Sequence, residues 1–463
     1  MNVQPERDWR FYTLGGLFLA FLLVFQLLIE LGGTSHGESN CFLLLYNFTP
    51  DLLKTVFDPL RTDWNLYQSR ELSYFIDALD ARFIGWCIRN QMAHFYSLSA
   101  IIASVLIIVV QQWGFAKGFP KLNCYAGLAV SAVWMWTPCN FEHHFFRCGK
   151  PLTALGITTL LFAIKVLCEC EEKRTEKTAW LLSGLAILFT PMIDRQGLFL
   201  VAASGGFCAL AFAFCDPDDR KKRVFKYLSC ACVASVVLQT FLNTVVTPAI
   251  INALNGYTPS FEYQSMPFGA VFDFSGMIHF LIGNLGFWFT GFDSAGVIVV
   301  CLLAVAVWRI CRENNYFTAF TGIYAFAVLA AMANLMMFRH RLLILDGVTH
   351  STYFMPFAAV TVFVVAIFAE CFEWKKSLAF LAVICAVVIA SQMVFTVFDD
   401  SDPVHNRFHR HATADIIRCL NDSSIDHKQL PMPYASWKLI DAFRGNLKGW
   451  ELGGCPIKFP KYR

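Results

Sequence analysis

Apolar runs of nearly bilayer-spanning length recur from one end of this chain to the other. A transmembrane helix needs about 20 predominantly apolar residues. The fifth and sixth runs are separated only by a short turn near Asp194. The pattern predicts an all-α polytopic membrane protein with about eleven transmembrane helices. The eleven runs lie at about 11–31, 96–112, 122–139, 152–168, 178–193, 196–214, 226–252, 293–311, 317–338, 352–371 and 377–397.

The composition supports this class. Hydrophobic residues make up 56% of the chain and charged residues only 15%, whereas soluble domains carry about 25% charged residues. The net charge of +3 is too small to indicate a nucleic-acid partner. The first apolar run follows Arg7 and Arg10 without a small-residue cleavage site, so we expect a retained helix and not a signal peptide.

Basic residues are concentrated in alternate loops. If the N-terminus is cytoplasmic, all of these loops are cytoplasmic, as the positive-inside rule requires. This orientation predicts a membrane domain over 1–397 with a long outer loop at 32–95, followed by a short outer tail at 398–463. The basic residues of the cytoplasmic loops are Arg7, Arg10, Lys117, Lys121, Lys173, Arg174, Lys177, Arg220, Lys221, Lys222, Arg223, Lys226, Arg309, Arg312, Lys375 and Lys376.

The first outer loop contains a dense group of ionisable residues, for which we expect a helix over 64–80. Spacings of three and four residues then place Tyr67, Arg70 or Glu71, Tyr74 and Asp77 along one side of that helix. Such a group between two membrane helices predicts an active site at the membrane face. The group consists of Asp63, Tyr67, Arg70, Glu71, Tyr74, Asp77 and Asp80.

Each acid of this loop also has a purely structural interpretation. Asp63 can cap the N-terminus of the expected helix, and Glu71 can pair with a neighbouring Arg within it. Asp77 and Asp80 can share a divalent cation, or they can form a solvated helix edge.

A few cations lie on the outer side, opposite the loops where basic residues normally collect. Arginine and lysine at this depth predict binding of a phosphate or pyrophosphate group, whereas the alternative is that they are interfacial anchors. The adjacent His143 and His144 lack the ligand spacing of a zinc site. The cations of the short outer loops are Arg147, Lys150, Arg195, Arg339 and Arg341.

The acids of the first outer loop, the Glu142-His143-His144 sequence of the second and the helix layout resemble the GT-C superfamily of integral membrane glycosyltransferases. That group includes the protein O-mannosyltransferases and the aminoarabinose transferase of lipid A. The resemblance implies transfer of a sugar from a polyprenyl-phosphate donor to a lipid, glycan or protein acceptor. It also implies an inner or plasma membrane location, with the active site on the periplasmic or extracellular side.

The resemblance also suggests residue roles. It implies that Asp63, then Glu71, orients or deprotonates the acceptor, with Glu142 as a further acid. Relatives differ in metal dependence, so a Mg²⁺ or Mn²⁺ ion on Asp77, Asp80 and His143 remains open. The chain departs from many relatives at Thr352, where they carry an Arg. The expected substrate-binding residues are Tyr67, Arg70, Arg147, Lys150, Arg195, Arg339, Arg341, His350 and Tyr353.

A transporter or flippase of a lipid-linked or anionic substrate is the main alternative. Transporters place their sites near the membrane midplane on broken helices, often within inverted repeats. In this chain the candidate residues collect toward one face and no repeat is evident, which favours the transferase. No nucleotide-binding glycine motif is present, so a cytosolic nucleotide donor has no support. Another lipid-modifying protein or a membrane scaffold is the third class.

Overall fold

The computed structural model is helical throughout the residues it describes, apart from one pair of two-residue strands. Strand β1 (Leu66–Tyr67) pairs in parallel with β2 (Ser260–Phe261), with Leu66 opposite Ser260. The described residues are 9–29, 37–48, 51–57, 66–67, 70–90, 92, 97–122, 124–135, 148–214, 219–258, 260–261, 297, 301, 355–370, 408–430 and 434–445.

Fourteen α-helices lie within these ranges. A π turn, Leu242–Val246, joins α10 to α11 without a break in the helix, and a 3-10 turn covers His427–Gln429. The helices are α1 (Trp9–Ile29), α2 (Gly37–Phe48), α3 (Leu52–Phe57), α4 (Glu71–Arg89), α5 (Leu98–Gly118), α6 (Cys124–Met135), α7 (Gly149–Glu169), α8 (Lys173–Ile193), α9 (Arg195–Phe214), α10 (Asp219–Phe241), α11 (Thr247–Asn255), α12 (Met355–Glu370), α13 (Phe408–Asn421) and α14 (Tyr434–Phe443).

Four helical stretches of the described residues are long and apolar enough to cross a membrane: Leu98–Gly118, Gly149–Glu169, Arg195–Ala213 and Asp219–Asn255. They coincide with four of the predicted segments, and the predicted turn near Asp194 separates α8 from α9. Large apolar side chains such as Leu181 and Val237, each 62% exposed, face outward from the bundle. The class of integral membrane protein follows, while the count of eleven crossings extends beyond the described residues.

The centre of the bundle is an aromatic core shared by α5, α7 and α12. Phe115 and Phe119 of this core pack edge-on or tilted against Phe162, with ring centroids 5.3 and 5.6 Å away. Phe363 of α12 completes the group at 5.3 Å from Phe162. Gly114 leaves the room that the Phe162 ring occupies, so α5 and α7 approach closely at this level.

Ion pairs tie the basic loops together at one end of the bundle, which we call the basic end. Lys117 at the end of α5 lies 2.7 Å from Glu172, which precedes α8. Arg220 at the start of α10 lies 3.7 Å from Glu176. Lys165 and Glu370 meet at 2.9 Å near the ends of α7 and α12. The opposite end is called the outer end, after the orientation that the loop charges predict.

A second apolar core covers the outer end. Phe42, Leu43 and Tyr46 of α2 pack with Tyr74 and Ala78 of α4, and all are buried. The same core includes Ile416 of α13 and Leu439 of α14, so the described part of the predicted tail packs on the first outer loop. The tail and the loop therefore share one core.

Helix α4 differs from the helix that the sequence predicts over 64–80. It begins at Glu71, because the preceding residues Leu66 and Tyr67 are extended and pair with the distant residues 260–261. The prediction that Tyr67 shares a helix face with Asp77 is therefore wrong. Arg70 is the residue that immediately precedes α4.

Candidate functional site

A buried cluster of one acid and two cations lies where α4, α7 and α9 meet at the outer end. Asp194, 2% exposed, accepts a hydrogen bond of 2.8 Å from Nζ of Lys150. Nε of Arg70 lies 3.6 Å from the same carboxylate oxygen, Oδ2. Lys150 also donates to Oε1 of Gln196 at 2.9 Å. We call Arg70, Lys150, Asp194 and Gln196 the outer cluster.

Local structure explains why these residues meet. Asp194 is the single residue between α8 and α9, and its Oδ1 accepts the backbone N–H of Gln196 at 2.9 Å, so it caps the N-terminus of α9. Lys150 lies in the first turn of α7. Gly197 allows the chain to turn tightly, because any side chain at this position would collide with the backbone of Thr190.

The charge balance of the outer cluster holds Asp194 in its ionised form. Burial alone would raise the pKa of this carboxyl, but the charges of Arg70 and Lys150 and the hydrogen bonds from Lys150 and Gln196 outweigh it and lower the pKa well below its usual range. Arg70 and Lys150 thus both contact the same carboxylate, and the described part of the cluster contains two cations and one acid.

The acids of α4 sit at the ends of other helices. Asp77, fully buried, accepts the backbone N–H of Cys148 at 2.8 Å, directly before α7. Asp80 accepts hydrogen bonds from the hydroxyls of Ser97 at 2.5 Å and Ser99 at 3.0 Å, where α5 begins. Negative charge is favourable at helix N-termini, so both acids stabilise the packing of α4 against the starts of α5 and α7.

The predicted cation site on Asp77, Asp80 and His143 stays a prediction. The carboxylates of Asp77 and Asp80 are directed at two different helices, although the residues are only three apart in sequence. Among the residues that the structure describes, no three His, Cys, Asp or Glu side chains are grouped to hold a metal ion. His143, the third expected ligand, lies outside those residues.

Glu71 has a different setting. It is half-buried at the start of α4, and its Oε1 accepts a 2.8 Å hydrogen bond from the hydroxyl of Thr247. Thr247 is the first residue of α11, directly after the π turn. Glu71 follows Arg70 directly in sequence, and its carboxylate contacts Thr247.

The structure thus brings together part of the predicted site. Arg70, Glu71 and Lys150 converge at the outer end, and the half-buried Arg195 begins α9 beside Asp194. Tyr67 lies in β1, with its backbone paired to the 260–261 segment. The remaining predicted site residues lie outside the described residues; they are Asp63, Glu142, His143, Arg147, Arg339, Arg341, His350 and Tyr353.

Sequence reasoning missed Asp194, Gln196 and Thr247 as members of the site. A signal was present for Asp194, since a lone acid followed by Arg195 interrupts an otherwise apolar stretch, and an ionisable residue in such a place is usually functional. Thr247 carried no such signal, because its contact with Glu71 joins residues 176 positions apart.

No protein-family model matches this chain, and no curated protein matches it. Two solved structures of ArnT from Cupriavidus metallidurans are similar to it. The structure bound to undecaprenyl phosphate is 16% identical, with a TM-score of 0.47 over 96% of this chain and 77% of that one. The apo structure is 14% identical, with a TM-score of 0.43 over 93% and 76%. At these values the likeness assigns neither the fold family nor the activity of this chain.

Proposed function

We propose that this chain is a membrane glycosyltransferase that moves a sugar from a polyprenyl-phosphate donor to a lipid, glycan or protein acceptor at the outer membrane face. The observation that carries the proposal is the outer cluster. It combines two largely buried cations and one carboxylate at the outer end of the bundle, next to a helix that begins with an acid.

The two cations of this cluster are of the kind that bind a phosphate. Arg70 and Lys150 are 13% and 12% exposed, so a ligand can reach them while most of their surface is protected from water. A guanidinium can bind phosphate through two parallel hydrogen bonds, and an ammonium adds a compact charge.

The acceptor side requires a carboxylate that orients or deprotonates the attacking hydroxyl. Asp63 is our first candidate, from the family resemblance, and Glu71 is the second, from its position beside Arg70. Asp194 is unsuited to this role, because its lowered pKa makes it a weak base. The donor sugar then leaves its phosphate as the acceptor oxygen takes the anomeric carbon, and the phosphate stays paired with Arg70 and Lys150.

The placement of buried charge favours transfer over transport. Among the described residues, the buried ion pairs lie at the two ends of the bundle, with Asp194 at the outer end and Lys165 with Glu370 at the basic end. A transporter would need its polar site near the midplane.

Binding of undecaprenyl phosphate to the detergent-purified protein tests the donor site. Lys150→Ala should weaken binding at least about tenfold, since a hydrogen bond to a charged group contributes about 1.5–3 kcal/mol. Lys117→Ala is the matched control, because Lys117 lies in an ion pair at the basic end. Equal affinity of parent and Lys150→Ala would reject the donor site.

Release of sugar from a polyprenyl-phosphate sugar tests the chemistry. Asp63→Asn and Glu71→Gln keep the shape of the side chain and remove its charge. The acid that acts as general base should lower turnover by about 100- to 10,000-fold when replaced. Parent-like turnover in both variants, with donor binding intact, would reject these two acids as the base.

A further inference from the structure

A basic cavity at the other end of the bundle is separate from the outer cluster. It lies between the last turn of α9 and the first two turns of α10, with a volume of about 520 Å³. Its lining consists of Phe212, Asp219, Lys222, Arg223 and Lys226. Among the described residues, the lining of this cavity carries three cations and one acid.

The two faces of α10 have different roles at this level. The spacing of Asp219, Lys222, Arg223 and Lys226 places them on one side of the helix. The opposite side packs into the bundle, where the buried ring of Phe225 meets that of Phe207 edge-on at 6.0 Å. The cavity is therefore fixed by a well-packed helix pair.

Arg220 shows that not every cation of this segment belongs to the cavity. Its guanidinium donates to the backbone oxygen of Cys170 and lies 3.7 Å from Glu176, so it ties α10 to the neighbouring loop. Lys222, Arg223 and Lys226 lie on a different face of α10 from Arg220. These three side chains are therefore the cations that line the cavity.

An apolar strip continues from the cavity along the same side of α10. Lys226 is followed at helical spacing by Cys230, Val233 and Val237, which are all exposed, with Val233 at 57% and Val237 at 62%. The distance from Lys226 to Val237 is about 16 Å along the helix. Half of a bilayer core measures about 15 Å, so the strip matches the length of one acyl chain.

We propose that this cavity binds the phosphate headgroup of an anionic phospholipid, with an acyl chain along the strip from Cys230 to Val237. The positive-inside orientation places the lipid in the cytoplasmic leaflet. Anionic lipid headgroups are attracted to clustered Lys and Arg at the membrane surface. A free phosphate would use the cations but not the strip, so the continuity of the two favours a lipid.

Native mass spectrometry of the full-length protein in detergent tests this proposal. The probes are phosphatidylglycerol and phosphatidylcholine with identical acyl chains. We expect the parent to retain phosphatidylglycerol preferentially. The double variant Lys222→Gln, Lys226→Gln should bind it roughly 10- to 30-fold more weakly, because each cation is removed from headgroup depth. The control Lys173→Gln, Lys177→Gln makes the same charge change at exposed positions of α8 and should bind like the parent.

Several results would overturn the proposal. The proposal fails if the double variant retains phosphatidylglycerol as well as the parent does. It also fails if the control variant loses the lipid to the same extent, because binding would then depend only on the net charge of the protein. Inorganic phosphate that competes at the same concentration as phosphatidylglycerol would mark a free-anion site. Loss of the lipid in Lys150→Ala, but not in the double variant, would place the lipid in the outer cluster instead. If the double variant fails to fold, Arg223→Gln is measured in its place against the same control, and the same outcomes apply.

Discussion

Replacing Asp194 by Asn should destabilise the protein, and a lipid phosphate should restore part of the loss. The substitution keeps the shape of the side chain but removes the charge that faces both Arg70 and Lys150. At an effective dielectric constant of about 20, the contacts of 2.8 and 3.6 Å represent gross Coulomb energies of about 6 and 5 kcal/mol. Desolvation offsets much of this, and breaking a buried pair typically costs about 3–5 kcal/mol.

Thermal unfolding in detergent measures this effect. Glu172→Gln is the control, because the Glu172–Lys117 pair is exposed, with side chains 51% and 39% accessible, and such pairs contribute about 0–1 kcal/mol. Undecaprenyl phosphate should raise the melting temperature of Asp194→Asn more than that of the parent, since its phosphate supplies the missing negative charge. A variant as stable as the control, or an equal gain in variant and parent, would refute this account.

The same interaction predicts a pH dependence. The pKa of Asp194 is lowered in the folded protein by Arg70 and Lys150 against the opposing effect of burial, so the stabilisation is complete at pH values above its ordinary pKa of about 3.9. It is lost as pH falls below that value toward the folded pKa. The stability difference between parent and Asp194→Asn should therefore be constant from pH 7 to about pH 5 and should shrink below about pH 4.

Four further substitutions test how the residues of the site are positioned. If Glu71 is the base, Glu71→Gln should lower sugar transfer by about 100-fold or more. Thr247→Val removes only the hydrogen bond to Glu71 and should lower sugar transfer less. Equal turnover in the two variants would show that the hydrogen bond has a purely structural role. Asp80→Ala should cost about 1–3 kcal/mol of stability by removing the acceptor of the Ser97 and Ser99 hydroxyls at the start of α5, and an unchanged melting temperature would contradict this role. Gly197→Val should cost about 1–3 kcal/mol because the new side chain meets the backbone of Thr190. Gly206→Val, on the same helix with no atom within 4 Å, is its control, and equal melting temperatures would show that the contact is not tight.

Local sequence patterns located the four stretches of the described residues that can cross a membrane. The predicted segments 152–168 and 196–214 correspond to α7 at 149–169 and α9 at 195–214. A long apolar run indicates a membrane helix without any information from the rest of the chain. The position of the turn at Asp194 also followed from the sequence. The ion pairs Lys117–Glu172 and Arg220–Glu176 place basic loops at one end of the bundle, while the side of the membrane on which that end lies stays a prediction.

Long-range contacts were beyond the sequence. The start of α4 was misplaced because residues 66–67 pair with residues 260–261, almost 200 positions away. The roles of Asp77 and Asp80 depend on which helix N-terminus lies opposite each carboxylate, and spacing within α4 carries no information about that. The same limit applies to Arg70 and Lys150, whose common partner is contributed by a third segment of the chain.

The continuous helix from Asp219 to Asn255 is long enough to reach from one membrane surface to the other. Its 37 residues span about 55 Å, whereas the hydrocarbon core is about 30 Å thick. With Lys226 at headgroup depth, about 20 residues cross the core, and the helix emerges near its π turn at 242–246. The next residue, Thr247, holds Glu71. Through this contact Glu71 is tied to a helix that is longer than the hydrocarbon core, so a shift or tilt of that helix would carry Thr247 and the acid with it.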